Sequence, residues 1–344
     1  MPKTAVISAD ALFAISAEMR RYLDTELAVR LKKQNPANAL HSALYQELEL
    51  KLKYDAGQTF TASEAFAARA GNCLSLVIMT GALAKGLGLD VYFHAIDVEE
   101  NWLQKGGLMF SSGHVNVTIG RNPPLVRMAS DRGRFLTIDF APVAGGKRAT
   151  QLSEQAIVAL YMNNRAAENL ALGKHREAYW WAKAAITSDT NLLPAYNTLA
   201  VIYRNSGHTE LAKGALRSVL RRDPNNIPAL SNLAIVLAKL GHTTELATTN
   251  AQLKKLRTHE PYYFFRQGKL AMQAGNYSLA RDMFLREIKR QPDNHQFHFQ
   301  LALAYAGLGD ARHTAASLAK ALEFSTTLAE QGIYSAKLSK LRQR

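Results

Sequence analysis

The chain contains one cysteine, and two later residues could make that cysteine a nucleophile. Cys73 follows Asn72 at the start of an apolar stretch, and His114 and Asp139 come later in the chain. A thiol can attack a carbonyl carbon, an imidazole can take and return a proton, and a carboxylate can orient the imidazole. These residue types, in this order, could supply a nucleophile, a base and a group that orients the base. A cysteine among apolar residues is more often a core residue, so only its two partners favour catalysis.

The elements predicted around these residues would bring them together. The stretch 73–85 predicts a buried helix, with Asn72 as its N-terminal cap and Gly86 at its C-terminal end. The positive end of the helix dipole would favour the thiolate of Cys73. Strand-like segments follow, and alternation in the second and third predicts antiparallel strands with one buried face. These segments are 91–96, 114–119 and 135–140.

The residues before the cysteine indicate helices. Apolar periodicity predicts amphipathic helices over 9–33 and 37–54, separated by Asn35-Pro36, and a short helix after Thr61. With the later strands, this pattern predicts an α+β domain.

Four short segments carry the order cysteine, helix, strand, histidine, strand, aspartate. They are Ala70-Gly71-Asn72-Cys73-Leu74-Ser75-Leu76, Leu87-Gly88-Leu89, Gly113-His114-Val115-Asn116-Val117 and Thr137-Ile138-Asp139-Phe140. Together they resemble the core of the transglutaminase-like superfamily, a papain-like thiol fold, over about residues 50–145. The resemblance implies that Cys73 is the nucleophile, His114 the general base and Asp139 the third member of a catalytic triad.

The same resemblance implies a reaction on amide bonds. Water as the acyl acceptor would give a cysteine peptidase or deamidase, and an amine would give a transamidase; the sequence does not separate the two. The oxyanion that forms on the substrate would be bound by the backbone N–H of Cys73. Analogy with papain-like enzymes suggests Gln58 as a second donor. No cofactor is expected.

The second half of the chain is periodic. Five glycines are spaced 34 residues apart, and a small residue precedes each of them by seven positions. The glycines are Gly173, Gly207, Gly241, Gly275 and Gly309, and the small residues are Ala166, Ala200, Ala234, Gly268 and Ala302. Such a period predicts stacked helical pairs, with small residues where two helices approach closely.

This period resembles that of the tetratricopeptide repeat, in five copies over 159–328. The resemblance implies an all-α solenoid that binds a protein or peptide along a concave groove, through asparagine, basic and aromatic side chains. By family position, the groove residues would be Asn163, Asn197, Arg204, Asn232, Tyr262, Phe265, Arg266, Lys269 and Phe299. A tetratricopeptide array that follows a transglutaminase-like core is an arrangement of bacterial type.

Charge separates the two halves. Residues 1–158 hold 17 basic and 15 acidic side chains, whereas residues 159–344 hold 25 basic and 13 acidic ones. An acidic partner of the array is consistent with this excess. We do not expect nucleic acid as a partner, because no nucleic-acid-binding fold is recognisable around the basic residues. His295 and His298 share one helical face without a third ligand in view, so we expect no metal site.

These observations give one domain plan and two functional hypotheses. The domains would be an N-terminal transglutaminase-like or papain-like domain over 1–150, a linker or helix start over 151–158, five repeats over 159–328, and a basic capping helix or tail over 329–344. The chain would be a Cys-His-Asp enzyme whose repeats recruit its substrate. The alternative is a non-catalytic scaffold or adaptor that binds protein partners through the repeats.

The sequence also bears on location. No apolar run is long enough to span a bilayer and no signal peptide is evident, so we expect a cytoplasmic protein. The alternative is a periplasmic or exported protein, if the chain is a trimmed mature form.

Overall fold

The computed structural model divides the chain into two compact units. The first holds residues 1–54 and 58–256, and the second holds residues 257–344 with residues 55–57. The described residues are 6–45, 50, 52–55, 57–97, 102–105, 108–111, 114–121, 135–140, 148–256, 262–325 and 327–342.

The first unit opens with short helices. They are α1 (Ala9–Leu12), α2 (Ala17–Tyr22), a π-helical turn (Leu23–Leu27), α3 (Ala28–Leu31) and α4 (Pro36–Tyr45). The predicted continuous helix over 9–33 is therefore wrong. Ser16 accepts a hydrogen bond from the backbone N–H of Met19 and starts a new helix at α2. The predicted helix over 37–54 is also wrong at its end, because residues 53 and 54 form a strand.

The segment before the cysteine forms a small parallel pair of strands around a helix. Strand β1 (Lys53–Tyr54) pairs with β2 (Ala70–Gly71), and α5 (Ala62–Ala68) lies between them in the chain. Thr61 caps α5, and Glu64 completes a capping box, which confirms the predicted short helix.

Helix α6 (Cys73–Gly86) follows directly and confirms the predicted buried helix. Asn72 is its N-terminal cap: the side-chain oxygen accepts a hydrogen bond from the backbone N–H of Ser75 at 2.9 Å. All side chains from Cys73 to Ala84 are buried. A Cβ atom on Gly81 would lie 2.9 Å from the Phe93 ring, so glycine allows this helix to pack closely against the sheet.

A four-stranded sheet carries the other predicted residues. Its strands are β3 (Asp90–Asp97), β6 (His114–Gly120), β7 (Phe135–Ile138) and β8 (Arg148–Leu152), in the order β7-β6-β3-β8 with antiparallel neighbours. A separate antiparallel pair is formed by β4 (Trp102–Lys105) and β5 (Leu108–Ser111). The expected single buried face is wrong for β6, where His114 and Asn116 are buried as well as their apolar neighbours. This strand lies inside the sheet, between β7 and β3.

Helical pairs make up the rest of the described chain. They are α7 (Glu154–Ala171) with α8 (His175–Ser188), α9 (Leu193–Asn205) with α10 (Thr209–Arg222), α11 (Ile227–Leu240) with α12 (Thr243–Leu256), α13 (Tyr263–Gln273) with α14 (Tyr277–Arg290), and α15 (His295–Gly307) with α16 (Ala311–Glu323). Helix α17 (Leu328–Arg342) follows the last pair. Among the helices of the described residues, none is both long and apolar enough to cross a membrane.

The periodic glycines close the first helix of each pair. All five have positive φ, between 71° and 83°, a conformation that side chains disfavour and glycine adopts freely. The small residues lie where predicted for close packing. A Cβ atom on Gly268 would be 2.5 Å from the ring of Phe284, on the second helix of the same pair.

The first repeat helix supplies several residues to the core of the N-terminal part. Ile157, Val158, Tyr161 and Met162 of α7 are buried in the same apolar cluster as α6 and the sheet. The first helix of the array thus completes the core around the predicted site.

Candidate active site

The three predicted catalytic residues lie together. The Cys73 Sγ atom is 3.7 Å from His114 Nδ1, and His114 Nε2 is 2.8 Å and 2.9 Å from the two carboxylate oxygens of Asp139. Each ring nitrogen of the histidine therefore faces one partner. This is the arrangement in which an imidazole can exchange a proton with sulfur while a carboxylate fixes its orientation.

Three different elements position these side chains. Cys73 is the first residue of α6, His114 is the first residue of β6, and Asp139 follows the last residue of β7. The antiparallel register of β6 and β7 pairs Val117 with Ile138 and brings the two strand ends side by side. The site is thus built where one helix begins and two strands meet.

Burial and charge act in opposite directions on the histidine. His114 is 5% exposed, and burial alone would lower its pKa. Hydrogen bonds to Asp139 and to Cys73, with the Coulombic interaction with each of them, outweigh burial and raise the pKa of His114 to about 9. An imidazolium at neutral pH is the partner that a cysteine thiolate requires. Asp139 is one-quarter exposed.

A fourth side chain, missed by the sequence analysis, reaches the sulfur. The hydroxyl of Tyr54 lies 3.5 Å from Cys73 Sγ. Gln58, the predicted second oxyanion donor, is exposed, and the structure gives it no contact with Cys73 or His114 among the hydrogen bonds of the described residues. Tyr54 carries no local sequence signal, because its position depends on the pairing of β1 with β2.

A polar network links the cap of α6 to the first repeat helix. The hydroxyl oxygen of Thr59 accepts hydrogen bonds from the Asn72 side-chain amide at 2.8 Å and from that of Asn164 at 3.2 Å. The Thr59 N–H donates to Glu168 at 2.7 Å, and Arg165 donates to the other carboxylate oxygen at 2.7 Å. Burial raises the pKa of Glu168, although these hydrogen bonds act to lower it. The position of Cys73 therefore depends in part on α7.

The predicted groove residues of the first unit are partly enclosed. Asn197 and Asn232 are each 9% exposed, and Asn163 is half-buried. The side-chain oxygens of Asn163 and Asn197 are buried and have no hydrogen-bond partner in the part of the chain that the structure describes. Arg204 is half-buried, donates to Asn205, and has its pKa lowered by burial.

In the second unit, the predicted aromatic groove residues pack against other side chains. Tyr262 is 4% exposed and contacts Phe265 and Phe297, so it fills a core instead of lining a surface. The Phe265 ring also contacts Phe284, and Phe299 packs on Tyr334 of α17. The expectation that Tyr262 lines an open groove is therefore wrong, whereas Phe265 and Phe299 are half-buried. Arg266 and Lys269 are exposed.

The two histidines considered for a metal have other partners. His295 Nδ1 is 2.9 Å from the Tyr334 hydroxyl, and His298 Nε2 donates to the backbone oxygen of Pro292 at 2.6 Å. Within the described ranges, no group of three or more His, Cys, Asp or Glu side chains could hold a metal ion.

Comparison with protein families identifies the helical pairs. Models of the tetratricopeptide repeat match residues 193–226 and 265–325. The C-terminal part of the chain therefore contains tetratricopeptide repeats, at residues 193–226 and 265–325. No curated protein matches the chain.

The chain is also similar to solved structures of repeat proteins over about half its length. A MamA mutant shares 16% identity, with 49% of this chain and 98% of that one covered and a TM-score of 0.28. TTC0263, a tetratricopeptide-repeat protein of Thermus thermophilus, shares 15% sequence identity. The match covers 54% of this chain and 100% of TTC0263, with a TM-score of 0.31. YrrB, a protein described as having an unusual peptide-binding site, shares 18% sequence identity. The match covers 52% of this chain and 92% of YrrB, with a TM-score of 0.29.

Proposed function

We propose that this chain is a thiol acyl-transfer enzyme of transglutaminase-like type, whose tetratricopeptide array binds a protein or peptide substrate. One observation carries the catalytic part: His114 lies between the sulfur of Cys73 and the carboxylate of Asp139, at 3.7 Å and 2.8 Å. The protein-binding part is supported by the repeat matches, and independently of the triad.

The reaction would proceed in two halves. The Cys73 thiolate attacks an amide carbonyl carbon, a carbon–sulfur bond forms, and the carbonyl electron pair moves to oxygen. When that pair returns, the carbon–nitrogen bond breaks and His114 gives its proton to the departing amine. Water or a primary amine then attacks the thioester, neutral His114 takes the proton of the attacking group, and the thiolate leaves.

The charge of the array favours an acidic substrate. Residues 159–344 hold 25 basic against 13 acidic side chains, and Arg266 and Lys269 are exposed on α13. Such a surface attracts carboxylate-rich segments and speeds their encounter, more at low salt than at high salt.

The second candidate function is that of a non-catalytic adaptor. The repeat matches favour it directly, because repeats of this type bind protein segments. In that case Cys73 is a buried thiol with an incidental histidine neighbour, and the array alone carries the function.

The pH dependence of alkylation by iodoacetamide separates the two candidates. Cys73 is the only thiol, so the signal needs no assignment. An ordinary thiol with a pKa of ~8.5 is about 3% thiolate at pH 7. We expect the parent protein to react at its full rate at pH 7, and His114→Ala to react about 30-fold more slowly, as this thiolate fraction implies.

His94→Ala is the matched control. His94 lies in the same sheet, but its ring faces the Thr118 hydroxyl at 3.5 Å instead of the sulfur. This variant should alkylate like the parent. If the parent follows the profile of an ordinary thiol, and His114→Ala does not change it, the catalytic proposal is overturned and the adaptor function stands.

A further inference from the structure

A tyrosine hydroxyl is held next to the reactive sulfur. The Tyr54 oxygen lies 3.5 Å from Cys73 Sγ, a distance at which an O–H group can donate to a sulfur atom. The side chain is half-buried, so its hydroxyl does not simply extend into solvent.

The backbone fixes this position from a distance of 19 residues. The parallel pairing of β1 and β2 places Tyr54 opposite Gly71, and the Lys53 N–H donates to the Arg69 carbonyl oxygen at 2.9 Å. Gly71 itself lies tightly against α6, because a Cβ atom there would be 2.6 Å from that of Ser75. Strand β1 is therefore held alongside the first turn of the helix that Cys73 opens.

The same corner leaves a backbone donor available. As the first residue of α6, Cys73 has an N–H group without an intrahelical acceptor. The carbonyl oxygen of a substrate that bonds to Cys73 Sγ lies only two bonds from the sulfur, so a donor that lies beside the sulfur can also reach this oxygen. A preorganised pair of donors at this point is what stabilises an oxyanion.

We propose that the Tyr54 hydroxyl, together with the Cys73 N–H, donates a hydrogen bond to the oxyanion of the tetrahedral intermediate. The inference rests on the proposed acyl-transfer function and takes the role that the sequence analysis gave to Gln58. The hydroxyl keeps its proton throughout: the carbonyl electron pair moves to oxygen when the carbon–sulfur bond forms and returns when the leaving group departs.

Two reagents separate this role from other roles of the tyrosine. p-Nitrophenyl acetate acetylates Cys73 through an oxyanion and releases p-nitrophenolate, whereas iodoacetamide reacts at a saturated carbon and releases iodide without one. In Tyr54→Phe we expect the burst of p-nitrophenolate to be about 100-fold slower, as for the loss of one oxyanion donor elsewhere. Alkylation at pH 7 should change less than about threefold, because His114 still faces the sulfur in this variant and can pair with the thiolate.

Tyr92→Phe is the control, because Tyr92 lies on β3 with its ring against Phe135. It should match the parent in both reactions. Equal acetylation of Tyr54→Phe and the parent overturns the inference and leaves the proposed function intact. A parallel fall in both reactions also overturns it, since Tyr54 would then act on the thiolate. If the parent gives no burst above Cys73→Ala, the proposed function fails first and the inference with it.

Discussion

The two halves of the chain obtain their geometry in opposite ways. In the repeats, the decisive contacts are local: the Phe284 ring meets the backbone of Gly268, 16 residues away on the neighbouring helix. In the candidate site, the sulfur and the imidazole come from residues 41 apart, and the tyrosine from 19 residues upstream. A periodic sequence therefore specifies the array one pair at a time, while the site exists only when the whole N-terminal core has formed.

Removal of the thiol should have the largest effect, because it abolishes the reaction at the N-terminal site and leaves the repeats folded. We expect Cys73→Ala to abolish the burst of p-nitrophenolate, because no other thiol is present. The array should remain folded, since Cys73 lies outside its helices. Stopped-flow absorbance measures the first effect and far-ultraviolet circular dichroism the second. A burst that persists in this variant would show that the nucleophile is another residue.

Removal of the carboxylate should weaken the site without dismantling it. Asp139→Asn keeps the shape of the side chain but loses the charge that helps to raise the pKa of His114 to about 9. A raised pKa keeps the imidazole protonated from neutral pH up to about 9, so the variant should lose that proton at lower pH. Nuclear magnetic resonance titration of the His114 ring measures this shift.

The rate should follow the protonation state. We expect acetylation of Asp139→Asn to be about 100-fold slower than that of the parent, because the histidine is no longer oriented or held as imidazolium. Asp90→Asn, on strand β3 of the same sheet, is the matched control and should leave the titration of His114 unchanged. An unchanged titration in Asp139→Asn would exclude the carboxylate from the site's chemistry.

The polar network around Glu168, which links Thr59 to α7, should contribute more to stability than an ion pair on the surface. Glu168→Ala would leave the Thr59 N–H and the Arg165 guanidinium without their acceptor, and we expect it to lower the free energy of unfolding by about 2 kcal/mol. Glu177→Ala removes only a longer ion pair with Arg176, and it should change the free energy of unfolding by less than about 0.5 kcal/mol. Urea unfolding measures both. Equal effects would mean that the network on α7 contributes no more than a surface ion pair.

Two glycines in the repeats should respond in opposite directions. Gly268→Ala would push a methyl group against Phe284, which is fully buried, and we expect a loss of about 1–2 kcal/mol. Gly214→Ala, on α10, meets nothing within 4 Å and should gain about 0.5–1 kcal/mol from helix propensity. Thermal unfolding followed by circular dichroism measures both. A loss at Gly214 or a gain at Gly268 would contradict the packing of these two helices.

Local signals in the sequence predict the helix that carries the cysteine and the turns of the repeats. Asn72 is a strong cap before an apolar run, and each periodic glycine meets a backbone need for positive φ. The same reasoning fails at residues 13–16 and 53–54. There Ser16 restarts a helix inside an apparently continuous pattern, and the pairing of β1 with β2 overrides the apparent periodicity.

The sequence predicts the three central residues of the candidate site but not the side chains around them. The residue types of Cys73, His114 and Asp139 and their order along the chain indicate a triad, and the register of β6 with β7 supplies the distances. Tyr54 and Thr59 are not predictable in this way, because each acts through a partner on a different element. Sequence reasoning misplaces Tyr262, because a tyrosine fits both a groove and a core by composition alone.

The burial of α7 in the N-terminal core constrains how such a chain can be altered over generations. Repeats lengthen and shorten by duplication and deletion of whole units, and a copy can be inserted where each unit meets another of its kind. The helix that carries Ile157 and Tyr161 faces a different partner, so a generic repeat placed there would leave the N-terminal core open. We therefore expect the first repeat to be inherited with the N-terminal part, and the repeats that lie outside this core to be the interchangeable ones.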